Sequence, residues 1–245
     1  MEEMLMDYFS ISKAGDREIN EDCTGIIKGA DSICFIVADG LGGHGKGDVA
    51  SQIAVSAFQN VFEHSLTSPL DARLTMAFQN AQNAILAEQQ RQNAGFQMKT
   101  TAAAVVIGQS SGICGHIGDT RIYIFAHNRV KERTLDHSVP QMLVLSREIK
   151  EKQIRNHPDR NKLLRVLGVQ GDIKFDSFSI ENLSKCQAIL LCSDGFWELI
   201  LEKEMCRTLR KSGSAKEWLE RMCEIVETKG EGREMDNYSA IAIRL

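Results

Sequence analysis

Four aspartates in this sequence stand where an apolar run meets a turn: Asp39 in CFIVADGLGG, Asp119 in HIGDTR, Asp194 in ILLCSDGFWE and Asp236 in MDNYSAIAI. A single aspartate at a strand end is ordinarily a turn former, because its carboxylate caps nearby backbone amides. Four of them, two in the form apolar strand then Asp-Gly, ask for more. Carboxylates gathered at one edge of a sheet repel each other and are costly to bury unless a cation neutralises them. Oxygen donors of this kind suit a hard ion, Mg2+ or Mn2+, and the neighbouring glycines let a backbone carbonyl approach it. No H-E-x-x-H or comparable histidine and cysteine spacing offers zinc a site. Near the N-terminus, REINED places Arg17 close to Glu21 and Asp22. That joins a planar fork of donors matching a phosphate to carboxylates able to hold metal-bound water. His44 lies five residues beyond Asp39. A loop histidine is ordinarily solvated, but one tethered beside a metal site can act as a general acid.

Such residues need strands to carry them. Residues 6–13 and 33–38 read as strands, the second (ICFIVA) apolar enough to be buried on both faces. Beyond the glycine loop, Val49, Ile53, Ala57 and Val61 recur at four-residue spacing with Ala50, Ala54, Phe58 and Phe62 beside them, the stripe of an amphipathic helix. Ser68-Pro69 supplies an N-cap and an N1 proline for a second helix, with Leu70, Leu74, Ala77, Ala81 and Ile85 on one face. TAAAVVIG, GICGHIG and RIYIFAHN are short strands whose tight connections require antiparallel pairing. Residues 138–156 carry a polar, mostly helical pattern, and 161–169 (NKLLRVLGV) is apolar enough to dock it. Strands resume at 173–180 and 187–193, a helical stretch covers roughly 197–228, and Ile241, Ile243 and Leu245 give the final strand one buried face. Blocks of strands and helices with hairpin-length connections predict a single α+β layered domain.

Several function classes drop out. From Gly40 the loop spells G-x-x-x-x-G-K, but Gly47 stands where a P-loop needs a hydroxyl for Mg2+, and P-loops open parallel sheets. The net charge of -4, with 29 Lys and Arg against 33 Asp and Glu, gives no basic excess for nucleic acid. No apolar stretch is long enough for a membrane span, and the acidic start MEEMLMDYFS is unlike a signal peptide. Seven scattered cysteines without a C-x-x-C pair predict buried thiols in a reducing cytoplasm. None of them opens a C-x5-R loop of the kind a cysteine phosphatase uses; Cys223 to Lys229 comes nearest, with Lys at its end.

In chain order, REINED (17–22), VADGLGGHGKG (37–47), TT (100–101), HIGDTR (116–121), LDHS (135–138), HPDRNKLLRVLG (157–168), LCSDGFWE (191–198) and DNYS (236–239) span nearly the whole sequence. As an ordered set they resemble the metal-dependent protein phosphatases, the type 2C serine/threonine phosphatases, and most of all their compact bacterial members. The resemblance implies two packed antiparallel sheets flanked by helix pairs, in α-β-β-α layers, with a mobile flap near 138–168. It implies that Asp39 bridges two Mn2+ or Mg2+ ions, that the Gly40 carbonyl binds one, and that Asp194 and Asp236 bind the other. Glu21 and Asp22 would act through metal-bound waters, and Asp119 would support a third, weaker ion. Arg17 would bind the substrate phosphate, and His44 would protonate the leaving alkoxide.

The implied activity is hydrolysis of phosphoserine and phosphothreonine in proteins, by in-line attack of water activated between two cations about 3.5–4 Å apart. Phosphorylated proteins, and a serine/threonine kinase that makes or is one of them, would be the partners of a cytoplasmic monomer. A catalytically silent phosphoprotein-binding module on the same fold is the alternative, which loss of an aspartate would have favoured. Two departures touch the flap region: Lys99 replaces the glycine that bacterial relatives usually carry before the paired threonines, and Pro140 interrupts the start of the 138–156 segment, which also runs about one residue short.

Overall fold

Alternation of buried residues along each strand decides the architecture. In the computed structural model, which describes residues 6–42, 46–64, 68–94 and 97–245, the order begins β1 (Asp7–Lys13), β2 (Asp22–Lys28), β3 (Ile33–Leu41), α1 (Gly47–His64) and α2 (Leu70–Arg91). It continues through β4 (Lys99–Thr100), β5 (Ala102–Ile107), β6 (Gly112–Ile117), β7 (Arg121–Ala126), β8 (Arg129–Arg133) and α3 (Val139–Leu145). After a 3-10 turn (Glu151–Asn156) come β9 (Asp176–Ile180), β10 (Ala188–Cys192), α4 (Asp194–Trp197), α5 (Glu202–Lys211), α6 (Ala215–Gly230) and β11 (Tyr238–Arg244). One sheet runs β1-β11-β10-β7-β8, the other β2-β3-β5-β6-β9 with β4 beside β3, and every pairing is antiparallel.

The inner faces meet in one apolar layer: Phe35 and Val37 of β3, Val105 of β5, Ile189 and Leu191 of β10, Ile241 and Ile243 of β11. Their strand neighbours point outward under helices. Cys34, Ile36 and Ala38 pack beneath α1 and α2, while Leu190, Cys192, Ala240 and Ala242 pack beneath α4, α5 and α6. The α-β-β-α layering implied by the resemblance is therefore present. The final strand is buried on both faces rather than one, because small alanines sit under the helices where an alternation count sees only weak signal. Each large apolar side chain so enclosed contributes about 1.5–3 kcal/mol.

Other expectations shift in detail. In α1 the fully buried line is Ala50, Ala54, Phe58, Val61 and Phe62, with Val49 and Ile53 at its margin. The α2 helix opens at Leu70: the Pro69 carbonyl accepts from the Arg73 amide at 3.0 Å, which makes the proline the N-cap, without a side-chain cap. Pro140 does not interrupt the flap segment. It sits in the first turn of α3, where its missing N–H costs nothing, behind Ser138, whose hydroxyl accepts from the Gln141 amide. The 161–169 stretch docks through Leu167, buried in the core under α2, and through polar groups. Leu164 and Val169 are exposed, while Gln89 donates to the carbonyls of Met98 and Gly168, both at 2.7 Å, and Gln82 accepts from the Gly168 amide at 2.8 Å.

Two strands, β2 and β8, are not evident from the sequence; each is a sheet edge, and β8 (RVKER) is charged as edge strands often are. The glycine loop leads from an antiparallel strand, which removes the parallel setting a P-loop needs.

Candidate metal centre

Antiparallel pairing brings the functional strand ends to one pole. Asp22 opens β2 directly opposite Asp39 near the end of β3. Ile117, ending β6, pairs with Ala102, and Cys192, ending β10, pairs with Ala240 and Arg121, so Asp119, Asp194 and Asp236 emerge on the same side. There a cleft of about 860 Å3 is lined by Arg17, Glu21, Asp39, Gly40, Asp119, Asp194 and Asp236, with Asn161 and Leu163 of the flap segment at its rim.

Asp39 and Asp119 are held through the backbone around them. Asp39 donates its N–H to the Thr101 hydroxyl (3.2 Å), and its carbonyl accepts from the Thr101 amide (2.9 Å) and the Thr100 hydroxyl (2.8 Å). Gly40 donates to the Glu21 carbonyl at 3.1 Å and lies so close to Gly47 that a Cβ would fall 2.3 Å from that backbone. Packing, then, accounts for Gly40 and Gly47. Asp119 follows Gly118, whose φ is +100°; Gly118 donates to His137 Nδ1 (3.1 Å), and its carbonyl accepts from the His137 amide (2.8 Å). A Cβ on Gly118 would sit 2.5 Å from the Thr101 side chain in a backbone region that suits glycine. Gly118→Ala is expected to cost more than about 1 kcal/mol, read as a lower urea midpoint with unchanged slope.

Asp236 accepts from the Asn237 amide at 2.8 Å and from Arg17, whose Nε and Nη2 lie 3.1 and 3.0 Å from the two carboxylate oxygens. Asn237 also braces the REINED loop, accepting from the Glu21 amide and donating to the carbonyls of Ala14 and Ile19.

The charges are crowded. Burial, then the charges of Asp194, Asp22 and Asp119, holds the Asp39 carboxyl well above the usual range. Asp119 is pushed up by burial and by Asp194, and Asp194 by burial and Asp236. Asp22 lies behind the cleft wall; burial carries it to about 7 although the Ser193 hydroxyl donates to it at 2.8 Å. Its other oxygen, Oδ1, is buried without a hydrogen-bond partner. Glu198, next to Asp194, also rises to about 7 through burial despite its pair with Arg160. Crowded, mutually repelling carboxylates, Asp119 buried and Asp39 and Asp194 half-buried, form with a backbone carbonyl an all-oxygen donor set that fits hard divalent cations.

Of the residues singled out in the sequence, Arg17, Glu21, Asp39, Gly40, Asp119, Asp194 and Asp236 come together, with Asp22 just beneath them. His44 lies outside the described residues. Thr101, Ser193, Asn237 and Trp197 act through contacts that spacing does not announce, although each falls within a motif that the sequence displays. A second group, His116, His137 and Asp176, also lies close together. His137 Nδ1 accepts from Gly118, so its proton is on Nε2, facing Asp176 at 3.2 Å. That arrangement is a brace under the Asp119 turn.

The comparisons with known proteins agree. A family model described as Protein phosphatase 2C matches residues 12–238. The chain is 34% identical over 216 residues to the serine/threonine phosphatase stp of Listeria welshimeri, covering 85% of this chain and 84% of that protein. A crystal structure of a serine/threonine phosphatase from Staphylococcus aureus superimposes with a TM-score of 0.90 at 24% identity, covering 99% and 96% of the two chains. The catalytic domain of the phosphatase PstP, solved in complex with two manganese ions, gives a TM-score of 0.79 at 25% identity, covering 98% and 97%. Among the described residues, no helix is long and apolar enough to cross a membrane.

Proposed function

Because this chain belongs to the protein phosphatase 2C family, we propose that the cleft around Asp39 is where it removes phosphate from phosphoserine and phosphothreonine in proteins. It is a metal-dependent serine/threonine phosphatase that works with two Mn2+ or Mg2+ ions. The observation that carries the assignment of the cleft is the convergence of buried Asp119 and half-buried Asp39 and Asp194 on one wall with Arg17 at the mouth. In this reading Asp39, the Gly40 carbonyl, Asp194 and Asp236 would hold the two ions, with Asp39 shared between them. Glu21 and Asp22 orient water, and Asp119 supports a third, weaker ion. When bound, the ions supply Lewis acidity, charge neutralisation and an activated water for in-line displacement at phosphorus.

The chain's own groups do the rest. Arg17 turns its fork from Asp236 to two phosphate oxygens, fixing the ester with its leaving oxygen away from the attacking water. As the P–O bond breaks, His44 gives its proton to the serine or threonine alkoxide, so that a neutral hydroxyl and free phosphate depart. The 138–168 segment acts as the flap of a single catalytic domain covering residues 1–245. We further place the protein in the cytoplasm as a monomer opposing a serine/threonine kinase in signalling; its seven free thiols support a reducing compartment.

The assay is turnover of a phosphothreonine peptide, expected with Mn2+ and abolished by EDTA. Arg17→Lys keeps the charge but loses the fork, and is expected to raise KM roughly 10- to 100-fold, as for a charged hydrogen bond worth about 1.5–3 kcal/mol. Metal-independent turnover, or an unchanged KM in the variant, would overturn the assignment.

A further inference from the structure

Trp197 connects two of the aspartates without touching the cleft. It is the last residue of α4, whose first residue is Asp194, and its buried indole Nε1–H donates to the backbone carbonyl of Asp119 at 3.0 Å. The ring cannot swing. The Arg121 guanidinium lies 3.4 Å from its centroid, and is itself fixed by Asp136 at 2.7 and 2.6 Å and by the Tyr123 hydroxyl at 3.0 Å. Arg155 approaches the ring at 5.4 Å and is anchored to Glu202 and the Ile200 carbonyl. Asp136 belongs to the LDHS segment, immediately before His137, which clamps Gly118. One immobilised ring thus sets the distance between the α4 start and the Asp119 turn, two places whose carboxylates repel each other.

We infer that Trp197 is a positioning residue for the Asp119–Asp194 pair, setting the affinity for the third divalent ion through the Asp119 backbone. The indole N–H holds the turn against the repulsion between the two carboxylates, so removing that one donor lets Asp119 withdraw while the Asp39 side of the centre keeps its own ties to Thr100 and Thr101. The inference rests on Asp119 supporting the third ion.

Mn2+ titration calorimetry on the full chain tests it, with Asp119→Asn, Trp197→Phe and a Trp197 replacement by benzothienylalanine, which exchanges the N–H for sulfur and keeps the ring shape. Both Trp197 replacements are expected to weaken the weak Mn2+ step by roughly 10-fold or more, as for loss of a supporting partner, with the tight steps unchanged. For a phosphothreonine peptide, kcat is expected to fall while KM holds. If Asp119→Asn loses the weak step but the Trp197 replacements titrate like the parent, the positioning role is overturned. If Asp119→Asn keeps the weak step, the third-ion reading falls and the inference with it. Equal weakening of every step would mark a purely structural role and also overturn it. Should Trp197→Phe fail to fold, the benzothienyl protein, altered at one atom, carries the test.

Discussion

Asp39→Asn is expected to lower phosphopeptide turnover by roughly 1,000-fold or more while raising the melting temperature of the EDTA-treated protein at pH 7.5. The loss follows from the proposed role of Asp39 in holding both ions: a shared carboxylate would contribute several kcal/mol of charge stabilisation, and each 1.36 kcal/mol is tenfold in rate. The gain in stability has the same origin. Asp39 is half-buried against Asp194, Asp22 and Asp119; desolvation and their charges hold its carboxyl well above the usual range, so its ionised form opposes folding at pH 7.5. Asparagine has the same shape, carries no charge, and can donate to Asp194. Peptide turnover together with thermal scans in EDTA and in Mn2+ decides the matter. A variant that stays active, or that melts lower than the parent in EDTA, would contradict the account.

The parent protein carries a second large effect, in its response to pH. In EDTA it is expected to melt higher at pH 6.5 than at pH 8.5, by on the order of 5 °C, and saturating Mn2+ is expected to cancel the difference. Asp22 and Glu198 rise to about 7, and Asp39, Asp119 and Asp194 also shift upward. A raised folded-state pKa contributes stability that is full below the unfolded value and is lost as pH climbs through the folded one, here around neutrality. A few kcal/mol of such linkage converts to several degrees in a chain of this size. His116 and His137 are lowered by burial, so their contribution is present above about 6.5 and lost as pH falls. Between 6.5 and 8.5 the carboxyls act first, and the seven thiols, all raised by burial, add a contribution of the same sign toward the upper end. With metal bound, the same carboxylates are neutralised by cations instead of protons. A melting temperature in EDTA that is flat or rising across that window would count against a crowded, proton-sharing centre.

How much of this is written along the chain differs from residue to residue. Asp39 and Asp194 are legible because an apolar run buried on both faces must end, and the Asp-Gly after it marks the exposed pole. Antiparallel pairing then forces alternate strand ends to share that pole, which brings in Asp119 and Asp236. Edge strands are harder. In β8 the charged RVKER presents no alternation, and in β2 a glycine at position 25 breaks the apolar pattern while its acidic start reads as loop. The docking of 161–169 is half legible: Leu167 enters the core as its apolar character predicts, whereas Leu164 and Val169 stay exposed and the amides of Gln82 and Gln89, on the face of α2 already expected to be buried, supply the rest. Trp197 and Thr101 are invisible to periodicity, since what matters is a single hydrogen bond across a large sequence separation.

The position of β11 in its sheet carries a temporal consequence. This strand lies between β1 and β10, so two elements synthesised earlier cannot sit in their final places until residues 238–244 arrive to separate them. Asp236 arrives with it, and Arg17 cannot reach that carboxylate sooner. A nascent chain can close the hairpins of the other sheet first, because β5 follows β3 and β6 follows β5 with local pairing. The acidic cleft is therefore incomplete until β11 docks.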